Sequence, residues 1–113
     1  MPRLINNISS ESVQRHTLIF NDDEITLTLR YLAQIQQWFF DVEYRDFTIG
    51  GVKLAVGTLH MVSSNQPFDF AVNDNAGVGL DPFRADDFES GRCSLYLVTP
   101  EEMFQVRGVE VPE

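Results

Sequence analysis

The chain predicts an all-β, mainly antiparallel fold: a small barrel or sandwich of about seven strands, with at most one or two short helical turns. Three observations carry it. Ile25, Leu27, Leu29 and Tyr31 alternate with Thr26, Thr28 and Arg30, and Trp38, Phe40, Val42 and Tyr44 alternate with Phe39, Asp41 and Glu43. Two period-two runs joined by a short link make a hairpin with one buried face. Turn-forming residues recur about every 8 to 12 positions, the spacing of short antiparallel strands. A length of 113 residues supports one modest core and none further.

Taken in order, Val13 to Phe20 reads as a strand ending at Asn21-Asp22-Asp23, whose side chains tolerate the geometry of a tight hairpin. Ile25 to Tyr31 returns from it, and Leu32-Ala33-Gln34-Ile35-Gln36 links to the Trp38 strand, so the first three strands form a meander. Arg45-Asp46 makes the next turn and Phe47 to Ile49 a short strand. Gly50-Gly51 then marks a bulge or reversal at positive φ, with Val52 to Val56 continuing beyond it. That bend favours a barrel, where a long strand turns a corner. Gly57 to Val62 fits a helical turn or a strand equally. Ser63 to Pro67 is a loop, and Phe68 to Val72 alternates strictly. Asn73 to Gly79 is a turn, Asp86 to Gly91 a loop or short helical turn, and Cys93 to Val98 the last clear strand. Thr99-Pro100-Glu101-Glu102 has the pattern of a helix start, while Gln105 to Val109 is again strand-like. The expected organisation is an N-terminal arm over 1–12, one β domain over 13–98 and a C-terminal extension over 99–113.

Composition narrows the partners. The hydrophobic fraction of 43% and aromatic fraction of 12% are those of a folded chain. Seventeen acidic residues against eight basic ones give a net charge of -9, and Lys53 is the one lysine. Affinity for phosphates comes from clustered Lys and Arg, so specific nucleic-acid binding is not expected. Ten of the acids fall between Asp69 and Glu113, which suggests a solvated negative face or a surface meeting a basic partner. No apolar run approaches the roughly 20 residues of a membrane-spanning helix, and the polar start lacks the apolar stretch of a signal peptide, so neither a membrane nor signal-directed export is expected.

Residues that carry chemistry are sparse. Cys93 is the single cysteine and, in strand-like sequence, reads as a small buried apolar residue rather than a nucleophile. His16 and His60 do not form a metal-binding pattern, and His16 is expected on the polar face of its strand. Asp22-Asp23-Glu24, Asp86-Asp87 and Asn73-Asp74-Asn75-Ala76-Gly77 lack the ligand spacing of a calcium loop. No Gly-x-Ser-x-Gly elbow is present. The expectation is no enzyme, no metal and no cofactor. Phe39 shares a face with Asp41 and Glu43, opposite the Trp38 face, so it either covers one end of the domain or docks on a partner.

The order of these pieces resembles the baseplate plug family of contractile-tailed bacteriophages. The resemblance rests on His16-Thr17-Leu18-Ile19-Phe20-Asn21, Ile25 to Tyr31, Trp38-Phe39-Phe40-Asp41-Val42, Gly50-Gly51-Val52-Lys53-Leu54, Asp81-Pro82-Phe83-Arg84 with Asp86-Asp87-Phe88, and Ser94-Leu95-Tyr96-Leu97. Leu32 stands where the family's pattern has an Asn. The resemblance implies a structural part of the virion tail, a plug that closes or bridges the distal tube at the hub and spike by contact. It further implies several copies around the tail axis, meeting hub, spike and tail-tube proteins, after synthesis in the host cytoplasm; the tape measure is a further candidate partner, which the sequence leaves open. Edge strands would then be completed by neighbours, and an acidic inner surface would repel passing DNA. Arg30, Phe39, Asp41, Asp81, Pro82, Phe83 and Arg84 are the candidate contact residues. A different class of function, a stand-alone β-barrel binding a small ligand or glycan, remains the alternative.

Overall fold

In the computed structural model, which describes residues 3–57, 59–61 and 67–99, two antiparallel sheets pack face to face. The strands are β1 (Arg3–Leu4), β2 (Val13–Phe20), β3 (Asp23–Leu32), β4 (Gln37–Tyr44), β5 (Phe47–Lys53), β6 (Asp69–Asp74) and β7 (Cys93–Val98). One sheet has the order β2-β3-β4-β5 and the other β1-β7-β6. The result is a sandwich and not the closed barrel suggested by the glycine pair: past the bend the chain meets the second sheet only through the isolated Val56↔Val72 bridge, and among the described residues no strand of one sheet pairs with a strand of the other. The helix start at Pro100-Glu101-Glu102, the strand-like run 105–109 and the loop over 63–66 lie outside the described residues.

The meander forms as its residues dictate. Asn21 and Asp22 sit at φ 51° and 68°, the positive pair that lets a two-residue turn follow the strand twist between the Phe20↔Asp23 partners. Alternation in β3 and β4 drives Ile25, Leu27, Leu29, Trp38, Phe40, Val42 and Tyr44 into the core. They meet Phe68, Phe70, Val72, Leu95 and Leu97 from the other layer. Edge-to-face aromatic pairs tie the layers together, Phe40 on Phe70 at 5.5 Å and Tyr44 on Phe68 at 5.1 Å between ring centres.

The glycine pair makes the expected bulge. Phe40 pairs with Val52 and Val42 with Ile49, so Asp41 alone faces both Gly50 and Gly51. Its Oδ1 accepts the Gly51 N–H at 2.8 Å. Gly51 adopts φ +68°, and a side chain there is strained whatever the space.

Four sequence expectations change in the structure. Arg3–Leu4, in what reads as a polar arm, pairs with β7, and Ile5 and Ile8 enter the core. His16 shares the inward side of β2 with Leu18 and Phe20, half-buried rather than solvated, because β2 leans its even positions toward the core. Its pKa is lowered by burial. The 57–61 stretch, in its described residues, is neither helix nor strand; Val56 and Gly57 instead bridge to Val72 along the outside of β6.

Asp69 is the fourth. Strict alternation in β6 points it outward, yet it is fully buried, because the 59–61 segment covers that face. Its carboxylate accepts the backbone N–H groups of His60, Met61 and Phe70. His60 is fixed in turn: its Nε2 accepts the Ala55 N–H at 2.9 Å, and Nδ1 lies 2.8 Å from the Phe70 carbonyl, to which it donates.

Two stability measurements follow. Gly51→Ala is expected to cost about 1–2 kcal/mol, read as a lower urea midpoint with an unchanged slope. Asp69→Ala strands several buried N–H groups and is expected to cost about 3 kcal/mol or more, measured in the same titration.

Candidate assembly surface at one end of the sandwich

The segment between β6 and β7 has no regular secondary structure, but it is held by buried charge. Arg92, just before β7, reaches across it. Its Nε donates to Asp87 Oδ1 at 3.0 Å and its Nη2 to Asp87 Oδ2 at 3.1 Å. Nη1 lies 3.2 Å from Asp74 Oδ1. The same guanidinium donates to the carbonyls of Leu80 and Asp81, and it lies over the Phe83 ring at 5.2 Å. Both carboxylates are almost completely buried, at 2% and 3% side-chain exposure.

Each aspartate also ties down backbone. Asp74 accepts the N–H groups of Ala76, Val78 and Leu80, and Asp87 those of Phe83 and Arg84 at 2.7 and 2.8 Å. Burial by itself raises the pKa of both. The donors outweigh it: Arg92 with the Arg84 and Phe83 amides at Asp87, and chiefly backbone amides at Asp74, hold both carboxyls below the ordinary value of 3.8. Next to this cluster, burial pushes the Cys93 thiol up to about 11, which keeps it protonated near neutral pH.

The sandwich grips the loop from its other side. Tyr31 Oη donates to the Phe83 carbonyl at 2.8 Å, and Trp38 Nε1 donates to the Arg84 carbonyl at 2.9 Å. Asp81 accepts the Val56 N–H and pairs with Lys53. Thus Asp81, Pro82, Phe83 and Arg84 stand at a fixed place on one end of the domain. Pro82 is buried, Asp81 and Phe83 are half-buried and Arg84 is exposed. Val78 and Leu80 project beside them at 64% and 52% exposure, and Leu32 at the end of β3 and Ile35 on the β3–β4 link are exposed as well. The link and the loop meet across a cleft of about 440 Å³ lined by Gln36, Gln37, Leu80 and Phe83.

The other three candidates lie on the outer face of the four-stranded sheet. Arg30 and Asp41 form an ion pair at 3.0 Å, both partly exposed, and Arg30 Nε is buried without a partner among the described residues. Phe39 is half-buried between its register partners Arg30 and Lys53. Lys53 joins the two groups, since it flanks Phe39 and pairs with Asp81. Arg92, Asp74, Asp87, Tyr31 and Trp38, which position the loop, are absent from the sequence-derived candidates. Tyr31 and Trp38 are 52 and 46 positions from the carbonyls they bond, so no local spacing marks them, while Asp87 and Arg92 are only five apart but fall in an irregular segment without a recognisable motif.

The acidic half of the chain is also less of a surface than its composition suggests. Asp69, Asp74 and Asp87 are buried acceptors. Among the described residues, no group of three or more His, Cys, Asp or Glu is placed to hold a metal ion, and no helix is long and apolar enough to cross a membrane.

A β-sandwich that spends two of its three buried aspartates, Asp74 and Asp87, on fixing one end loop has the arrangement expected of the contact-making class of proteins. Within that class the chain belongs to a defined family: residues 4–101 match the one described as cyanophage baseplate Pam3 plug gp18. Its role is structural, in the phage baseplate of the virion tail. No curated protein matches the chain.

The buried ion network yields a measurable consequence. Arg92→Met leaves two buried carboxylates uncompensated and is expected to cost about 3–5 kcal/mol. Carboxyls with depressed native pKa values stabilise fully above the ordinary 3.8 and lose that contribution as pH falls below it. Acid unfolding of the native chain therefore belongs below about pH 4, and the Arg92→Met transition, followed by far-ultraviolet circular dichroism, is expected at higher pH.

Proposed function

We propose that this protein plugs the distal end of a contractile tail, closing or bridging the tail tube at the hub and spike until contraction. It acts by protein–protein contact and not by catalysis, with several copies around the tail axis that meet hub, spike, tail-tube and tape-measure proteins. It is made in the host cytoplasm and incorporated into the virion. One observation carries the reading: the Asp81-Pro82-Phe83-Arg84 loop is fixed before any partner arrives, by Arg92 and by the Tyr31 and Trp38 hydrogen bonds. A preordered loop binds without the cost of ordering it. Around it, Leu32, Ile35, Val78 and Leu80 supply apolar surface and Arg84 an exposed charge, the composition of an interface core with an arginine anchor. Pro82, being buried, shapes the loop instead of touching a partner. Phe39, Arg30 and Asp41 form a second contact area on the sheet face.

The alternative, a glycan- or ligand-binding module, calls for aromatic rings free to stack. The exposed large apolar residues among those described are all aliphatic, which favours protein contact.

The experiment is reconstitution of tails from particles lacking this protein, using wild type, Arg84→Glu and Leu80→Asp, with incorporation read by mass spectrometry and position by electron microscopy. Both exposed-residue variants are expected to fold normally and to incorporate at least about tenfold less, the scale of one lost interface anchor. Normal incorporation of both, or density away from the tail axis, refutes the proposal.

A further inference from the structure

A sandwich of two open sheets has four edges, and three of them are protected. β1 is two residues long, β5 is interrupted by the bulge at Gly50 and Gly51, and β6 is covered by Val56 and Gly57. Short edges, bulges and covering loops are the devices that keep strands from recruiting other chains. Among the described residues, none of these devices protects β2. It runs for eight residues without proline or glycine, in unbroken register with β3. Its outward face carries Val13 and Ile19 at 61% and 55% exposure, and no carboxylate lies on it in a chain of net charge -9.

We propose that β2 is a pairing edge for a second copy of this chain, antiparallel about a two-fold axis at His16, so that the two four-stranded sheets become one of eight. The register follows from the faces. A continuous outer face requires odd positions to meet odd positions. Of such registers, the one that sets residue 13 against 19, 15 against 17 and 16 against 16 joins Val13 of one copy to Ile19 of the other, twice. It covers both exposed apolar side chains with each other. The neighbouring shift toward the start of the strand sets Arg15 against Arg15; the shift toward its end leaves Val13 without a partner and faces Ile19 with Arg15.

Charge complementarity supports the same register. Ile19 neighbours Glu24 and Val13 neighbours Arg30 within each copy. The joined sheet therefore reads Glu24, Ile19, then the second copy's Val13 and Arg30, with an acid and a base at opposite ends of the apolar pair. The adjacent row reads Thr26, Thr17, then the second copy's Arg15 and Thr28. Glu24 and the second copy's Arg15 are two strands apart, about 10–12 Å between backbones, a gap that their two long side chains span. Neither has a partner among the described residues of its own copy. The axis places the two half-buried imidazoles of His16 opposite each other, and burial favours their uncharged form.

The inference goes beyond the plug role and is independent of it, since the end loop takes no part. Sedimentation equilibrium of the full chain from ~10 μM to ~1 mM covers the range expected for a contact of one strand edge, and a monomer–dimer equilibrium is the expected result. Ile19→Lys, at a position more than half exposed, is expected to keep the native melting curve and to weaken the dimer at least ~10-fold. Val13→Cys with Ile19→Cys in one chain is expected to give a covalent dimer on oxidation. Neither single variant should, because like residues lie ~20 Å apart across the axis. A monomer over the whole range, a dimer indifferent to Ile19→Lys, or single variants that cross-link as well as the double one would each overturn the proposal.

Discussion

The structure turns on one half-buried cation set between two buried anions. Arg92 meets Asp87 through two parallel hydrogen bonds and Asp74 through a third contact. Such an arrangement gains little net energy over an apolar core of the same shape, because desolvation offsets most of the attraction. What it provides is geometry. An apolar filling would leave the amides of Ala76, Val78, Leu80, Phe83 and Arg84 without acceptors. The aspartates accept them, and Arg92 makes two negative charges tolerable in the same small volume. A chain of 113 residues thereby holds an irregular segment in place without using a helix.

The hairpins support this arrangement from the opposite side. Trp38 and Tyr31 are core residues by alternation, and their ring contact at 5.3 Å belongs to the sheet. Their polar atoms point out of the core at one end and meet the loop carbonyls. Each residue thus serves packing with its rings and positioning with its donor. The same division holds at Asp41, which pairs with Arg30 and supplies the acceptor that seats the bulge.

Much of this was legible in the sequence. The meander from Val13 to Tyr44 follows from period-two alternation and from Asn21-Asp22, and the bulge follows from Gly50-Gly51, since in each case the cause lies within a few residues of its effect. The loop residues Asp81 to Arg84 stand out through the order of motifs along the chain. Their support does not: the Tyr31 and Trp38 donors act over separations of 52 and 46 positions, and Arg92 lies five positions from Asp87 in a stretch whose sequence carries no regular periodicity. Asp69 shows the same limit from inside a strand: alternation gives its direction correctly, but only the tertiary fold shows that the 59–61 segment waits there with backbone donors. The arm was obscured for a related reason. Asn6 and Asn7 separate Ile5 from Ile8, and this polar interruption hides two core residues.

The shortness of β1 gives the domain a mechanical asymmetry. The arm is joined to β7 by the Arg3↔Leu97 and Leu4↔Tyr96 pairs and by the Ile5 N–H on the Leu95 carbonyl, with Ile5 and Ile8 as its apolar anchors. The meander, by contrast, is knit by three long antiparallel ladders. Force applied to the N-terminal end peels a few bonds in succession, whereas force along the meander strands must shear a whole ladder at once. The two sheets thus differ in how their outermost strands are held, the arm by a few bonds and two apolar anchors and the meander by whole ladders.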